Sequence, residues 1–330
     1  MNSPHAREII LRLFQQADDG FVSGALISRE LGVSRSAVWK QIEGLRHLGY
    51  SIQAVPSRGY RLVDSPDILM AEELHAGLDT ERIGRKILCR EAVDSTNRWA
   101  YALGEQGGED GTVVIADRQD AGKGRMSRSW ESPSGVNLYL SVLLRPSILP
   151  WDAPQLTFLS AVAVCRAIAE TCGMMARVKW PNDILLNGRK VAGLLNEMSS
   201  ETDRIRFVVL GIGVNLNMSA EQFPADLRYP ATSVLLETGK AVPRAEFVRM
   251  LLRHLDQLYL TYLEHGSGSV MAAWAELSDL VGRHVEVDCQ SKIVAGRVVG
   301  FGEDGALLLE CADGRREPIL AGDVRIVEGQ

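Results

Sequence analysis

The sequence predicts an α+β protein of several domains: a helix-turn-helix with a strand hairpin, a mixed sheet with packed helices, and a terminal group of short strands. Three observations carry this. At 330 residues the chain exceeds one ordinary core and suits a domain of about 200 residues with one or two small ones. Apolar spacing is helical as far as Leu48, and from Ile87 strand and helix periods alternate. Charge is uneven: residues 1–63 hold eight Lys/Arg against five Asp/Glu, whereas the whole chain carries −6. The expected domains are 1–64, 65–277 and 278–330.

Composition excludes several classes. A content of 46% hydrophobic, 24% charged and 6% aromatic residues is that of a folded soluble chain, neither disordered nor membrane-embedded. No run of about 18 apolar residues occurs, and Arg7, Glu8 and Arg12 interrupt any signal-peptide stretch. The cytoplasm is the expected location, with no membrane partner. The five cysteines are scattered without a CxxC pair, which suits reduced core thiols. The six histidines form no HExxH or HxH, so no resident metal is expected and any metal would arrive with a nucleotide.

Ile9, Ile10, Leu13 and Phe14 give residues 5–16 one apolar stripe and predict a first helix. Ser23 can cap a second over Ala25–Leu31, Gly32 ends it, and Ser34 can cap a third from Arg35 to about Leu48. On the third, Val38, Ile42 and Leu45 share a face, with Ser36, Lys40, Glu43 and His47 roughly opposite. Alternation over Tyr50–Val55, a turn at Pro56–Gly59 and a return over Tyr60–Val63 predict a hairpin, the wing of a winged helix. Arg35, Ser36 and Lys40 on the third helix and Arg58 at the hairpin tip are the candidate DNA-binding residues. A trihelical bundle of this kind can also bind protein.

In the middle segment, strands are expected at Ile87–Val93, Thr112–Asp117, Val136–Leu144, Arg177–Leu186, Lys190–Met198 and Arg206–Leu216. Helices are expected at Asn97–Gln106, Leu156–Cys172 and Ala245–His265. Asn187-Gly188 is a two-residue hairpin signal that makes its flanking strands antiparallel neighbours. Three stretches carry chemistry. In Asp117–Trp130, Gly122 and Gly124 permit close backbone approach, Lys123, Arg125 and Arg128 can neutralise carboxylate and phosphate, and Trp130 can stack on a base. It is neither a dinucleotide fingerprint nor a P-loop, and by itself would also suit a basic surface loop. Lys179–Leu186 with Arg189–Gly193 sets two lysines and an aspartate beside an apolar hairpin, which solvated strand ends would also do. Asp94-Ser95-Thr96-Asn97 ends a strand, where a plain helix cap is the competing explanation.

Taken in order, Asp94–Asn97, Gln119 with Gly122–Trp130, Lys179–Asp183 with Lys190, and the GxGxNxN run Gly211–Asn217 resemble the biotin protein ligases. Residues 23–62 resemble the winged helix of the bifunctional members, which repress biotin-synthesis genes. The resemblance implies a class II synthetase-like central domain and an SH3-like C-terminal barrel. It further implies that ATP with Mg²⁺ activates biotin as biotinyl-AMP, and that a biotin carboxyl carrier protein receives it. Ser95, Thr96, Asn97 and Gln119 would bind the ureido ring; Lys123, Gly124, Arg125 and Lys190 would hold carboxylate and phosphate, with Arg125 and Lys190 catalytic. Arg128, Trp130, Asn182, Asp183 and Asn215 would bind the nucleotide. The basic loop is expected to lack fixed structure until it closes on the adenylate, and homodimerisation with biotinyl-AMP bound would favour operator DNA. Lys123 departs from the family's usual arginine, which keeps the charge and loses the two-pronged geometry.

Residues from about 278 onward predict short strands at His284–Asp288, Ile293–Phe301, Ala306–Glu310 and Arg315–Ile319, with turns at Glu303–Gly305 and Asp313-Gly314. No chemical motif lies there, and a packing role is expected. Three rivals remain: a lipoate ligase, against which Lys179–Asp183 and Gln119 argue; a transcription factor that only senses a ligand, against which Lys190 argues; and a ligase with a vestigial winged helix.

Overall fold

The computed structural model describes residues 4–17, 20–227, 229–290 and 292–327. The chain forms two compact units, Met1–Asp79 with Pro243–Arg249, and Thr80–Val242 with Met250–Gln330.

In the first unit, helix α1 (Pro4–Gln16) buries Ile9, Ile10, Leu11 and Phe14. Helix α2 (Gly24–Leu31) starts where the Ser23 hydroxyl accepts the Leu26 N–H at 3.1 Å, and it stops at Gly32 in the left-handed region. Helix α3 (Arg35–His47) is capped in the same way by Ser34 and turns Val38, Ile42 and Leu45 inward. Strands β1 (Ser51–Val55) and β2 (Gly59–Asp64) form the expected antiparallel hairpin, which Val22 extends through bonds of 2.7 and 2.9 Å with Tyr60. A short helix, α4 (Ala71–His75), carries buried Glu73, which accepts from the Tyr50 hydroxyl at 2.7 Å and pairs with Arg249 at 3.7 Å. Buried Arg244 donates to Asp67 at 2.9 Å. Such buried charges persist only when paired, so these contacts fasten residues 65–79 and 243–249 into this unit.

The second unit runs β3 (Ile87–Val93), α5 (Thr96–Glu105), β4 (Thr112–Gln119), β5 (Leu138–Leu144), α6 (Ala153–Cys172), β6 (Arg177–Lys179), β7 (Asp183–Leu186), β8 (Arg189–Ser200), β9 (Ile205–Val214), α7 (Val234–Thr238), α8 (Arg244–His265, from Met250 onward) and α9 (Gly268–Glu276). Among the described residues its main sheet has the order β3-β4-β5-β9-β8-β7-β6, with β3–β4 parallel and the other pairs antiparallel. The mixed sheet is as expected. Asn187 and Gly188 take φ of 48° and 76°, the conformation a two-residue hairpin demands. The single strand expected over Arg177–Leu186 is instead two antiparallel strands folded back at Trp180-Pro181-Asn182, because Pro181 has no N–H for a ladder. The segment Pro150–Cys172 is long and apolar enough by composition to cross a membrane, and most of that apolar stretch is buried within the fold. Its helix packs on β8, β9 and α9.

The chain ends in β10 (His284–Asp288), β11 (Ile293–Phe301), β12 (Leu307–Glu310), β13 (Arg316–Ile319) and β14 (Asp323–Ile326), an antiparallel sheet ordered β13-β12-β11-β10-β14. The last strand is absent from the sequence-based expectation, whose strands end at Ile319. Phe158, Trp274 and Phe301 join this sheet to the helices through edge contacts at 4.9 and 4.6 Å. Trp180 donates its indole N–H to Gly305 O at 3.0 Å. That tryptophan is therefore a buried anchor, as is Cys165, whose thiol burial pushes up to about 12.

Candidate active site

One wall of the site is a chain of neutral polar groups. Ser95, Thr96 and Asn97 stand where β3 gives way to α5, each nearly buried, and Ser95 makes no capping bond. The backbone N–H and hydroxyl of Thr96 both donate to Gln119 Oε1, at 2.8 and 3.1 Å. Gln119 Nε2 donates to Ser132 Oγ at 3.0 Å. On the other side, Ser141 Oγ shares its proton between Thr96 Oγ1 and Asn97 Oδ1, at 2.8 and 2.7 Å. Asn97 Nδ2 in turn donates to Leu195 O at 3.1 Å and to Glu197 Oε2 at 2.7 Å. A Cβ on Gly211 would lie 2.0 Å from Asn97 Oδ1, so only glycine lets β9 pass this close. Asp94 points away and pairs with Arg98 at 2.9 Å. Sequence reading missed Ser141; its signal is a lone hydroxyl within the otherwise apolar run of β5.

The basic loop forms the rim. Gly124 N–H donates to Arg128 O at 2.8 Å and Trp130 N–H to Gly122 O at 2.9 Å, closing a hydrogen-bonded turn over Gly122–Trp130. These rungs satisfy backbone groups that an open loop would leave to water. Gly122 is packed against Trp130 O, so its lack of a side chain serves the turn, while a Cβ on Gly124 would meet nothing closer than 3.8 Å. Arg125 Nη1 donates to Asn182 Oδ1 at 3.2 Å, and burial pulls its pKa below the usual guanidinium range. Arg128 is pushed the other way by its hydrogen bonds to Asp323 on β14. Lys123 is exposed.

Trp130 lies on a floor of glycines. A Cβ on Gly213 would come within 2.7 Å of its indole, and one on Gly193 within 3.1 Å. The indole Nε1 is buried against Gly213 with no hydrogen-bond partner among the described residues. Lys190 Nζ sits 5.4 Å from the Trp130 ring and 2.6 Å from Asp183 Oδ1. Asn182 Nδ2 holds Leu194 O at 2.7 Å. Asn215 is engaged on both ends of its amide, donating to Thr232 O at 3.1 Å and accepting from Asn137 at 3.4 Å. Its side chain braces the wall where sequence reasoning expects a nucleotide contact.

Every residue that the sequence assigns to biotin or nucleotide lines one cleft of about 630 Å³. That volume suits a ligand of several hundred daltons. The cleft also receives Phe223, Asp226 and Tyr229 from the loop before α7, and Asp323 and Val324 from β14. These carry no motif and escaped sequence reasoning. No group of three potential metal ligands occurs among the described residues. The DNA-binding candidates belong to the other unit. Arg35 and Lys40 are exposed on α3, Ser36 Oγ lies 2.9 Å from Ser34 Oγ, and the Arg58 guanidinium is 3.9 Å from the Phe21 ring centre.

Comparison with known proteins agrees with this layout. Residues 89–215 match the biotin/lipoate A/B protein ligase family, residues 7–61 an HTH domain and residues 280–326 the biotin protein ligase C-terminal domain. The bifunctional ligase/repressor BirA of Bacillus spizizenii is 39% identical over 320 residues, 97% of this chain and 98% of that one. Its Escherichia coli counterpart is 32% identical over 311 residues, 94% of each chain. The biotin–[acetyl-CoA-carboxylase] ligase of Paracoccus denitrificans is 36% identical over 228 residues, 68% of this chain and 94% of the relative. The biotin protein ligase of Aquifex aeolicus, solved with biotin and ATP, superposes with a TM-score of 0.63 at 27% identity, covering 74% of this chain and all of that one. With a relative this similar along nearly its whole length, the chain belongs to the family of bifunctional biotin protein ligases and repressors.

Proposed function

We propose that the chain activates biotin with ATP, transfers it to a lysine of the biotin carboxyl carrier protein, and represses biotin-synthesis genes through its N-terminal unit. One observation carries the ligase reading: a wall of neutral amides and hydroxyls meets a cluster of cations inside a single cleft. A ureido ring offers two N–H donors and a carbonyl, the complement of such a wall. A dithiolane offers neither, which favours biotin over lipoate. The ligands fit a further feature: the Gly193–Gly213 floor under Trp130 leaves a flat indole face for a base.

In the first half-reaction a biotin carboxylate oxygen attacks the α-phosphorus; the new O–P bond forms as the bond to pyrophosphate breaks. Arg125 and Lys190 neutralise the two anions and the charge that builds on the phosphoryl oxygens. Arg128, Trp130, Asn182 and Asp183 hold the nucleotide, with Lys123 and Gly124 at the phosphates. Mg²⁺ bound with the triphosphate would offset its charge, and Asp183, which lines the cleft beside Lys190, would be a carboxylate to hold it. In the second half-reaction the carrier's lysine amine attacks the anhydride carbonyl, an amide forms, AMP leaves and the proton passes to solvent.

Repression draws support from coverage. Relatives named ligase/repressor match 97% of the chain, whereas a relative named only as ligase matches 68%. We assign DNA contact to Arg35, Ser36, Lys40 and Arg58, and homodimerisation to the form carrying biotinyl-AMP. A functional division into DNA-binding (1–64), catalytic (65–277) and C-terminal (278–330) parts, in which residues 65–79 and 243–249 of the catalytic part pack in the first compact unit, and a cytoplasmic location complete the proposal. The test is biotin- and ATP-dependent pyrophosphate release followed by transfer to a purified carrier domain, then DNA titration with and without both ligands. Activity with lipoate and none with biotin would refute the ligase reading, and ligation without DNA binding would leave a ligase whose winged helix is vestigial.

A further inference from the structure

Helix α3 presents a surface that the charged residues alone do not explain. Beside and opposite its buried stripe, Arg35, Ser36, Trp39 and Lys40 are exposed, and Trp39 stands 54% open to solvent. Glu43, the acid on this face, is held by Arg46 at 2.5 Å. Arg35 and Lys40 have no carboxylate partner among the described residues. The indole thus sits between two unneutralised cations, one turn into a helix that begins at a tight Gly32–Ser34 turn.

We propose that Trp39 reads sequence: its indole packs against a thymine C5-methyl in the major groove while Arg35 and Lys40 hold the flanking phosphates. This rests on the DNA-binding reading of the N-terminal unit and specifies what that unit recognises. The major groove is wide enough for a helix, and among its base-edge groups the thymine methyl is apolar while the rest are donors or acceptors. A mostly apolar side chain in the first turns of a recognition helix has that one good partner. The bracketing positive charge favours a polyanion over an apolar protein surface.

The experiment uses the full-length protein with biotin and ATP and a pool of random-sequence duplexes. Wild-type protein should enrich sequences with at least one invariant thymine, and Trp39→Ala should leave that position unselected. Uracil at that position, which removes only the methyl, should weaken wild-type binding about fourfold, the worth of one buried methyl, and leave Trp39→Ala unchanged. Trp39→Phe should retain part of the preference. The slope of affinity against salt should be the same for wild type and Trp39→Ala, because tryptophan neutralises no phosphate. An unchanged ligation rate and melting temperature certify the fold. Identical enriched sequences for wild type and Trp39→Ala, or equal sensitivity of both to uracil, would overturn the assignment. Loss of ligand-dependent dimerisation in Trp39→Ala would also overturn it, placing Trp39 in an interface between copies. No enrichment by wild-type protein would instead refute DNA binding itself.

Discussion

At the scale of residues, the cations of the cleft differ in what they are tied to, and their substitutions should therefore fail differently. Lys190 is held by Asp183 at 2.6 Å and lies beside Trp130, so its ammonium is positioned before substrate arrives. Lys190→Ala removes that charge and also leaves Asp183 uncompensated near the phosphates. Pyrophosphate release should slow about 100-fold, the usual loss for one charge-stabilising group, with the melting temperature little changed; a near-normal rate would move the role to Arg125. Arg125 has a second duty, because its bond to Asn182 ties the loop to the turn between β6 and β7. Arg125→Gly gives up the phosphate partner and that tie, and adds backbone freedom. Biotinyl-AMP should then escape and acylate bystander proteins, read as biotin on added albumin by mass spectrometry. Unchanged albumin labelling beside normal carrier labelling would show that Arg125 does not retain the intermediate.

At the scale of elements, what was legible in the sequence was whatever leaves a local mark. The caps at Ser23 and Ser34, the stop at Gly32 and the Asn187-Gly188 hairpin each depend on a few adjacent residues, and each is in place. The cleft was legible as three separate stretches, because Gln119, Arg125 and Lys190 are recognisable by type and spacing. What joins them was not. Ser141 touches both Thr96 and Asn97, residues more than forty positions away, and nothing near it in sequence announces that contact. The strand break at Pro181 is readable in principle, but the apolar residues on either side of it give the stronger strand signal. Asp323 reaches the loop from the last strand of the chain, a pairing with Arg128 that spacing cannot suggest. Ser141 gives the sharpest check on the polar wall as a unit. Ser141→Ala leaves β5 apolar and unstrained while loosening Thr96 and Asn97. KM for biotin should rise about tenfold, the worth of roughly one hydrogen bond, with kcat and KM for ATP nearly unchanged. Equal effects on both substrates would mean that the serine merely supports the fold.

At the scale of the whole molecule, the distribution of charge poses the question of how the chain binds DNA at all. Residues 1–63 carry eight Lys/Arg against five Asp/Glu, while the full chain is at −6. A single small winged helix with so modest an excess neutralises few phosphates, and the acidic remainder repels the duplex, so one copy should bind weakly. Two copies joined through their catalytic domains act differently: once the first unit lands, the second meets its half-site at a high effective concentration. If the adenylate favours that pairing, DNA affinity becomes a gauge of biotin that no carrier has yet consumed. The check is a titration of duplex from upstream of the biotin-synthesis genes, followed by fluorescence anisotropy, with protein alone and with protein preloaded with biotin and ATP. Sedimentation of the same samples reports the assembly state. Preloading should tighten binding at least tenfold and shift protein from monomer to dimer over the same concentration range, and Lys40→Ala with Arg58→Ala should lower both the affinity and its salt slope. Arg58 is the more informative of the two, since it already stacks on Phe21 and must keep or leave that ring to reach a phosphate. Equal affinity in the two ligand states would break the link between the adenylate and repression, even if the isolated ligase works as proposed.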